Sequence, residues 1–124
     1  MNNYGELQNV LKADKRNLAI VLSIEGAHVF FNEKMLSGQL SPQEMKKELM
    51  QNIITVKNWT HPPFSINLSH HFYNGLCGHA KSLSGFLGSG MLNQNKGLES
   101  NLTGLGIKCL KELLSANNCK RILV

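Results

Sequence analysis

Tyr4, Leu7, Val10 and Leu11 recur at the spacing of one helical face, which predicts a helix from Tyr4 to Asp14, closed by Asn17. The next stretch, Leu18-Ala19-Ile20-Val21-Leu22-Ser23, is an apolar run of strand length. Such a run is expected of a strand buried on both faces in a parallel sheet. Ile24-Glu25-Gly26-Ala27-His28 follows at once, so polar groups stand where that strand ends, with Gly26 free to take an unusual turn. The carboxyl ends of strands are where open α/β sheets bind ligands.

Ser41-Pro42-Gln43-Glu44 predicts a helix start: a capping serine, proline in the first turn and a glutamate three residues after the cap. Met45, Leu49, Ile53 and Val56 continue as its apolar face, with Lys46, Lys47 and Glu48 toward solvent, and His61-Pro62-Pro63 ends any helix. Phe64-Ser65-Ile66-Asn67-Leu68 alternates as a second strand and leads into Ser69-His70-His71-Phe72-Tyr73-Asn74-Gly75. Residues 75–106 hold eight of the eleven glycines without an apolar period, which predicts a long loop over about 75–102 with a helical turn near Ala80–Leu83. A third helix is expected from Thr103, with Ile107, Leu110, Leu113 and Leu114 on one face and Asn117-Asn118 at its end. Arg121-Ile122-Leu123-Val124 then begins a third strand. The whole of residues 1–124 reads as one α/β segment of alternating helices and strands, with right-handed crossovers expected.

Composition narrows the class. With 124 residues, 42% of them hydrophobic and 17% charged, the chain suits one folded domain and not a disordered tail. A complete (β/α)₈ barrel needs roughly 200 to 250 residues. No stretch approaches a membrane span and the first ten residues lack the basic start of a secretory signal, so the cytoplasm is the default location. Cys77, Cys109 and Cys119 are odd in number and lack CxxC spacing, which favours reduced thiols. The net charge of +5 is uneven: residues 1–63 carry 7 basic and 6 acidic side chains, residues 64–124 carry 6 and 2. The basic residues are scattered without aromatic interleaving, so no nucleic-acid partner is expected.

Two clusters could carry chemistry, each directly after a predicted strand. A carboxylate at Glu25 and an imidazole at His28 could share a cleft and bind metal; equally, Glu25 could cap the next helix and His28 pack against it. In the second cluster, neighbours on a strand point to opposite faces, so His70 and His71 serve one metal only where the strand has already ended. Cys77-Gly78-His79 is too closely spaced for a typical zinc pair, and nothing in the sequence brings that cysteine and histidine together as a nucleophilic pair.

At these clusters the chain resembles the renal (membrane) dipeptidase family of metallopeptidases. Leu22-Ser23-Ile24-Glu25-Gly26-Ala27-His28 is similar to that family's hydrophobic-x-Glu-Gly-Gly-His segment, and Leu68-Ser69-His70-His71-Phe72-Tyr73-Asn74-Gly75-Leu76 to its Leu-Thr-His-Asn-x-x-Asn-x-Leu segment. Leu102-Thr103-Gly104-Leu105-Gly106 resembles its Leu-Thr-Pro-x-Gly helix start, and Arg121–Val124 the strand leading to Asp-x-Ser-His. The four pieces stand in family order over about residues 18–124. The resemblance implies a (β/α)₈ barrel holding two zinc ions that hydrolyses dipeptides. It implies Glu25 as the carboxylate bridging both zincs, His70 and Asn74 on the dipeptide substrate side, and His28 and Asn74 as residues that support or shape the loops. It also shows departures. The His-x-Asp ligands, the later metal histidines and the catalytic aspartate have no counterpart in residues 1–124, and Asp14, in the first helix, cannot replace them. Ala27 replaces the second glycine and Gly104 the usual proline, while His71, Phe72 and Tyr73 depart from the common residues of the second motif.

The expectation is therefore a partial TIM-type barrel of about three β/α units, with no complete catalytic set, inactive alone and not binding zinc on its own. Exposed sheet edges and self-association follow from it. The rival is a small self-contained α/β protein that binds a ligand or partner without catalysis and melts as a cooperative monomer.

Overall fold

A computed structural model describes residues 4–81, 94–116 and 120–124. The elements are α1 (Tyr4–Ala13), β1 (Ser23–Glu25), a 3-10 turn (Ala27–Phe30), α2 (Glu33–Leu36), α3 (Pro42–Lys57), β2 (Ser65–Asn67) and α4 (Gly104–Leu114). The architecture is mixed α/β.

The start of α3 follows from its sequence. Ser41 Oγ accepts the Glu44 amide at 3.3 Å, and the Glu44 carboxylate accepts the Ser41 amide at 2.9 Å, a reciprocal capping box with Pro42 inside it. The serine beside it holds the Glu44 carboxyl below its ordinary pKa. Leu49, Ile53 and Val56 are buried and Met45 is half-buried, the face that the spacing predicts. Asn32 accepts the Met35 amide at 3.0 Å to start α2 and donates to the Glu48 carboxylate at 2.5 Å, tying that turn to α3.

β1 and β2 pair in parallel with Ser23 opposite Ser65, Ile24 opposite Ile66 and Glu25 opposite Asn67. On the other side of β2, Leu123 bridges Ser65 in parallel: the Ile66 amide donates to the Leu123 carbonyl at 2.8 Å and the Leu123 amide to the Phe64 carbonyl at 3.0 Å. Three consecutive extended segments thus lie side by side in chain order. Side chains alternate across a sheet, so Ile24 and Ile66 face the core while Ser23, Glu25, Ser65 and Asn67 stand on the other face. Ala27, Phe30, Leu49, Ile53, Ile66, Leu76, Cys109, Leu113 and Ile122 form the core.

Several expectations are corrected. The run Leu18–Ser23 is not a strand buried on both faces: β1 begins only at Ser23, and Leu18, Ile20 and Val21 are 82%, 71% and 66% exposed. The core lies on one side of the sheet only, so nothing among the described residues covers the run. α1 ends at Ala13, leaving Asp14 outside it in a fork with Arg16, and both Val10 and Leu11 of its predicted apolar face are exposed. Asn17 does close it, donating from its side chain to the Val10 carbonyl at 2.7 Å. The buried face of α4 is Gly106, Cys109 and Leu113, with Ile107 and Leu114 exposed, because the backbone at Leu76 seats the helix on its glycine. Of the predicted turn near Ala80–Leu83, Ala80 and Lys81 carry no helical turn, and Ser82 and Leu83 lie outside the described residues together with Asn117-Asn118.

Candidate functional site

The carboxyl ends of β1 and β2 come out side by side, and each leads into one of the two clusters. After Glu25 the chain turns at Gly26, at φ 96° and ψ 120°, a left-handed backbone region that favours glycine. A Cβ at Gly26 would also lie 2.4 Å from His28 Nδ1, so the bare backbone is what lets the His28 ring fold back over the turn. The same added atom would meet His70 Cβ at 3.6 Å, so the two clusters are neighbours. The Ala27 amide donates to the Leu68 carbonyl at 3.2 Å and clips them together.

The histidines sort into different settings. His28 is half-buried, its ring 5.0 Å from that of Phe72 and tilted by 46°. β2 ends at Asn67, so the condition for His70 and His71 to come together is met: their rings are 3.6 Å apart at 44°. The Gln94 side-chain nitrogen donates to the His71 carbonyl at 3.0 Å, bringing the far end of the glycine-rich loop onto the cluster.

Asn74 is committed to the backbone. Its side-chain nitrogen donates to the Leu68 carbonyl at 2.6 Å and its oxygen accepts the Leu76 amide at 3.0 Å, so it shapes the loop after β2. Thr103 Oγ1 caps α4, accepting the Gly106 amide at 3.0 Å and lying 2.8 Å from the Gly75 carbonyl it donates to. A Cβ at Gly106 would stand 1.9 Å from the Leu76 carbonyl oxygen, so glycine is required there, whereas Gly104 has open space around it.

Glu25 is exposed, on the sheet face opposite the core, and its carboxylate makes no hydrogen bond or ion pair with the described residues. Asn67 stands opposite it across the ladder, a polar neighbour that the alternation of Ser65, Ile66 and Asn67 signals but motif matching misses. Together they form a small polar patch at the strand ends. No three His, Cys, Asp or Glu side chains among the described residues are grouped to hold a metal ion.

Cys77-Gly78-His79 serves the loop. Both His79 ring nitrogens lie near carbonyls, Nδ1 at 3.0 Å from Ala80 and Nε2 at 3.1 Å from Lys96, so both are occupied within the loop neck. His79 pairs with Leu98, and Gly78 packs directly against the Ser100 backbone. The Cys77 thiol is pushed up by burial, opposed by a hydrogen bond with Ser69, and Cys109 is pushed up to about 12 by burial and by the nearby Cys77. Neither is an activated nucleophile.

One cavity, lined by Leu40, Glu44, Lys47, Glu48, Gln51 and Asn52, lies along α3 and includes no residue of the strand-end clusters. No helix among the described residues is long and apolar enough to cross a membrane. No protein-family model, curated protein or solved structure matches the chain.

Proposed function

We propose that this chain is about three β/α units of a dipeptidase-like metallohydrolase barrel, contributing Glu25 and His70 to a site for dipeptide hydrolysis and inactive by itself. The observation that carries the reading is the meeting of its two motifs. Glu25 ends β1, the His70 segment leaves the neighbouring end of β2, and the Ala27 amide bonded to the Leu68 carbonyl holds the two together. An enzyme built on parallel strands assembles its site from such ends. Three parallel segments adjacent in chain order, with the core on one side and polar Ser23, Glu25, Ser65 and Asn67 on the other, are the arrangement a barrel wall requires.

The donors present do not fit the two zinc ions that the family resemblance implies. A catalytic zinc takes about three protein ligands, and Glu25 is the one family ligand that the chain aligns. What the chain offers is one exposed carboxylate and, at His70, a donor placed to stabilise negative charge on a polarised carbonyl. His28 and Asn74 hold the turns that present them. The outer edge of β1, which no strand among the described residues pairs, also favours this reading over a self-contained binding module, since finished sheets pair, cover or charge their edges.

Two measurements test the proposal. The coding DNA flanking residues 1–124 is expected to encode, in frame, His-x-Asp upstream and Asp-x-Ser-His directly downstream of Val124. A stop codon or unrelated sequence at both places overturns the family reading. Hydrolysis of a panel of dipeptides with added Zn²⁺ is expected to stay at background. Turnover abolished by Glu25→Ala would show the isolated chain to be an enzyme and overturn the claim of inactivity.

A further inference from the structure

The neck of the glycine-rich loop is held by one buried histidine. His79 is 6% exposed, and its ring stands between two carbonyl oxygens, with Nδ1 3.0 Å from that of Ala80 and Nε2 3.1 Å from that of Lys96. Its backbone completes the neck: the His79 amide donates to the Gly97 carbonyl at 3.3 Å, and the His79 carbonyl accepts the Glu99 amide at 3.0 Å. Beside it the Gly78 amide donates to the Ser100 carbonyl at 3.1 Å.

A carbonyl oxygen only accepts, so each ring nitrogen must bring a proton to make its bond. Neutral imidazole carries one such proton. Either neutral tautomer therefore turns a lone pair toward a carbonyl oxygen in a buried place, where an unmet polar group is costly. The doubly protonated ring meets both oxygens. Among the described residues no carboxylate forms an ion pair with it. The charged side chains on the segments that meet at the neck, Lys81, Lys96 and Glu99, are exposed, and the Lys96 ammonium lies over the Tyr73 ring, 5.7 Å from its centroid. The Cys77 thiol, two positions before His79, is pushed up by burial and stays neutral below that range. The two carbonyls are thus what receives the charge.

The neck in turn fixes the segment that follows it. The Gln94 side chain donates to the His71 carbonyl at 3.0 Å, and Gly97, at φ 73°, lies so close to Tyr73 that a Cβ there would stand 2.2 Å from the ring. Closing the neck at His79 therefore seats residues 94–97 on the His71–Tyr73 stretch.

We propose that His79 is a pH-sensitive clasp: the neck closes fully when its ring carries two protons and loosens when it loses one, so the seating of residues 94–97 on the strand-end cluster follows pH. The closed neck favours the ring that holds the extra proton, so closure is fullest at acid pH and declines as pH rises. The clasp goes beyond the dipeptidase reading and does not rest on it.

The test is backbone hydrogen exchange of the 124-residue chain at about pH 5 and about pH 8, the interval over which histidine changes charge. Protection factors, which remove the intrinsic effect of pH on exchange, are compared. Those of the Gly78 and Glu99 amides are expected to fall about tenfold at the higher pH, the scale of one lost hydrogen bond, while Ile53 in α3 keeps its protection. His79→Gln, which offers a neutral amide in place of the ring, should leave Gly78 and Glu99 indifferent to pH. Nitrogen NMR of the wild-type ring gives a second readout: both nitrogens of His79 should carry protons at the lower pH and one at the higher. Protection that does not change with pH in wild type, or a His79 ring with a single proton at both values, overturns the proposal. So does an equal change in His79→Gln, which assigns the effect to another group such as His71. None of these results bears on the flanking-sequence test of the dipeptidase reading.

Discussion

The ammonium of Lys57, at the last turn of α3, is held by Ser115, the residue that follows α4. Nζ donates to the Ser115 carbonyl at 3.0 Å and lies 2.9 Å from its hydroxyl, while also reaching the Glu112 carbonyl at 2.5 Å and the Glu112 carboxylate at 3.5 Å. The side chain has no exposed surface. A buried cation is tolerated only when its protons are satisfied, and here the acceptors include the Ser115 carbonyl just past the helix and the Glu112 carbonyl, which also accepts the Ser115 amide at 3.2 Å. One lysine thus caps α4 and joins it to α3.

Lys57→Met, which keeps the stem and removes the donors, should lower stability by about 1–3 kcal/mol, because the half-buried Ser115 carbonyl and the Glu112 carboxylate lose the ammonium they face. Glu112→Gln, which leaves the carbonyl bonds in place, should cost less than half as much. Urea denaturation of both variants checks the order. Equal losses would show that the ion pair, and not the carbonyl cap, dominates.

The two glycines at the start of α4 should respond oppositely. Gly106→Ala drives a methyl into the Leu76 carbonyl oxygen and should cost about 1–3 kcal/mol in urea, the scale of forced overpacking. Gly104→Ala has open space and should gain about 0.4–1 kcal/mol by restricting the unfolded chain. Gly104→Pro should also be tolerated at this first helical position, where the amide has no helical partner.

Asn74→Ala should destabilise by about 1–3 kcal/mol because the amide of buried Leu76 loses its acceptor. Glu25→Ala, at an exposed position without partners among the described residues, should stay within about 0.5 kcal/mol of wild type. Thermal melts of the two variants side by side separate a residue that builds the strand-end loops from one that the fold leaves free.

Alkaline pH should weaken the fold through Cys109. Its thiol keeps its proton up to about 12 when buried, while the unfolded chain releases it near the ordinary thiol value. Above that value the unfolded state binds fewer protons, so stability is fully present below it and declines as pH rises toward 12. Cys109→Ala should flatten the decline between about pH 9 and 10.5, measured as the urea midpoint against wild type. An unchanged slope would assign the loss to other groups.

How much of this was legible depends on whether a residue's role is local. The capping box at Ser41 and Glu44, the face of Met45, Leu49, Ile53 and Val56 and the helix start at Thr103 follow from spacing and turn chemistry, and the structure contains them, whereas the parallel pairing was expected from an apolar run that the structure leaves exposed. The apolar run at Leu18–Leu22 misled, because periodicity reports what a residue prefers and not whether a partner is there to cover it. Ile107 and Leu114 misled for a related reason: the seat of Gly106 on Leu76, a tertiary contact, turns α4 to present Cys109 instead. Lys57 was invisible, since its acceptors lie more than fifty positions away. In the site, the positions of Glu25, Gly26 and His70 at strand ends were readable, while the commitment of Asn74 to backbone and the contact of the His70 and His71 rings required the loop geometry.

The side-by-side order of the three extended segments also governs how the molecule is made. Ser23 waits for Ser65, and Ser65 for Leu123, so each pairing joins a newly synthesised segment to one already outside the ribosome. Synthesis from the amino end lets the sheet grow one strand at a time on that edge. The opposite edge, that of β1 at Ser23–Glu25, is the first to emerge, and no strand made later among the described residues pairs with it.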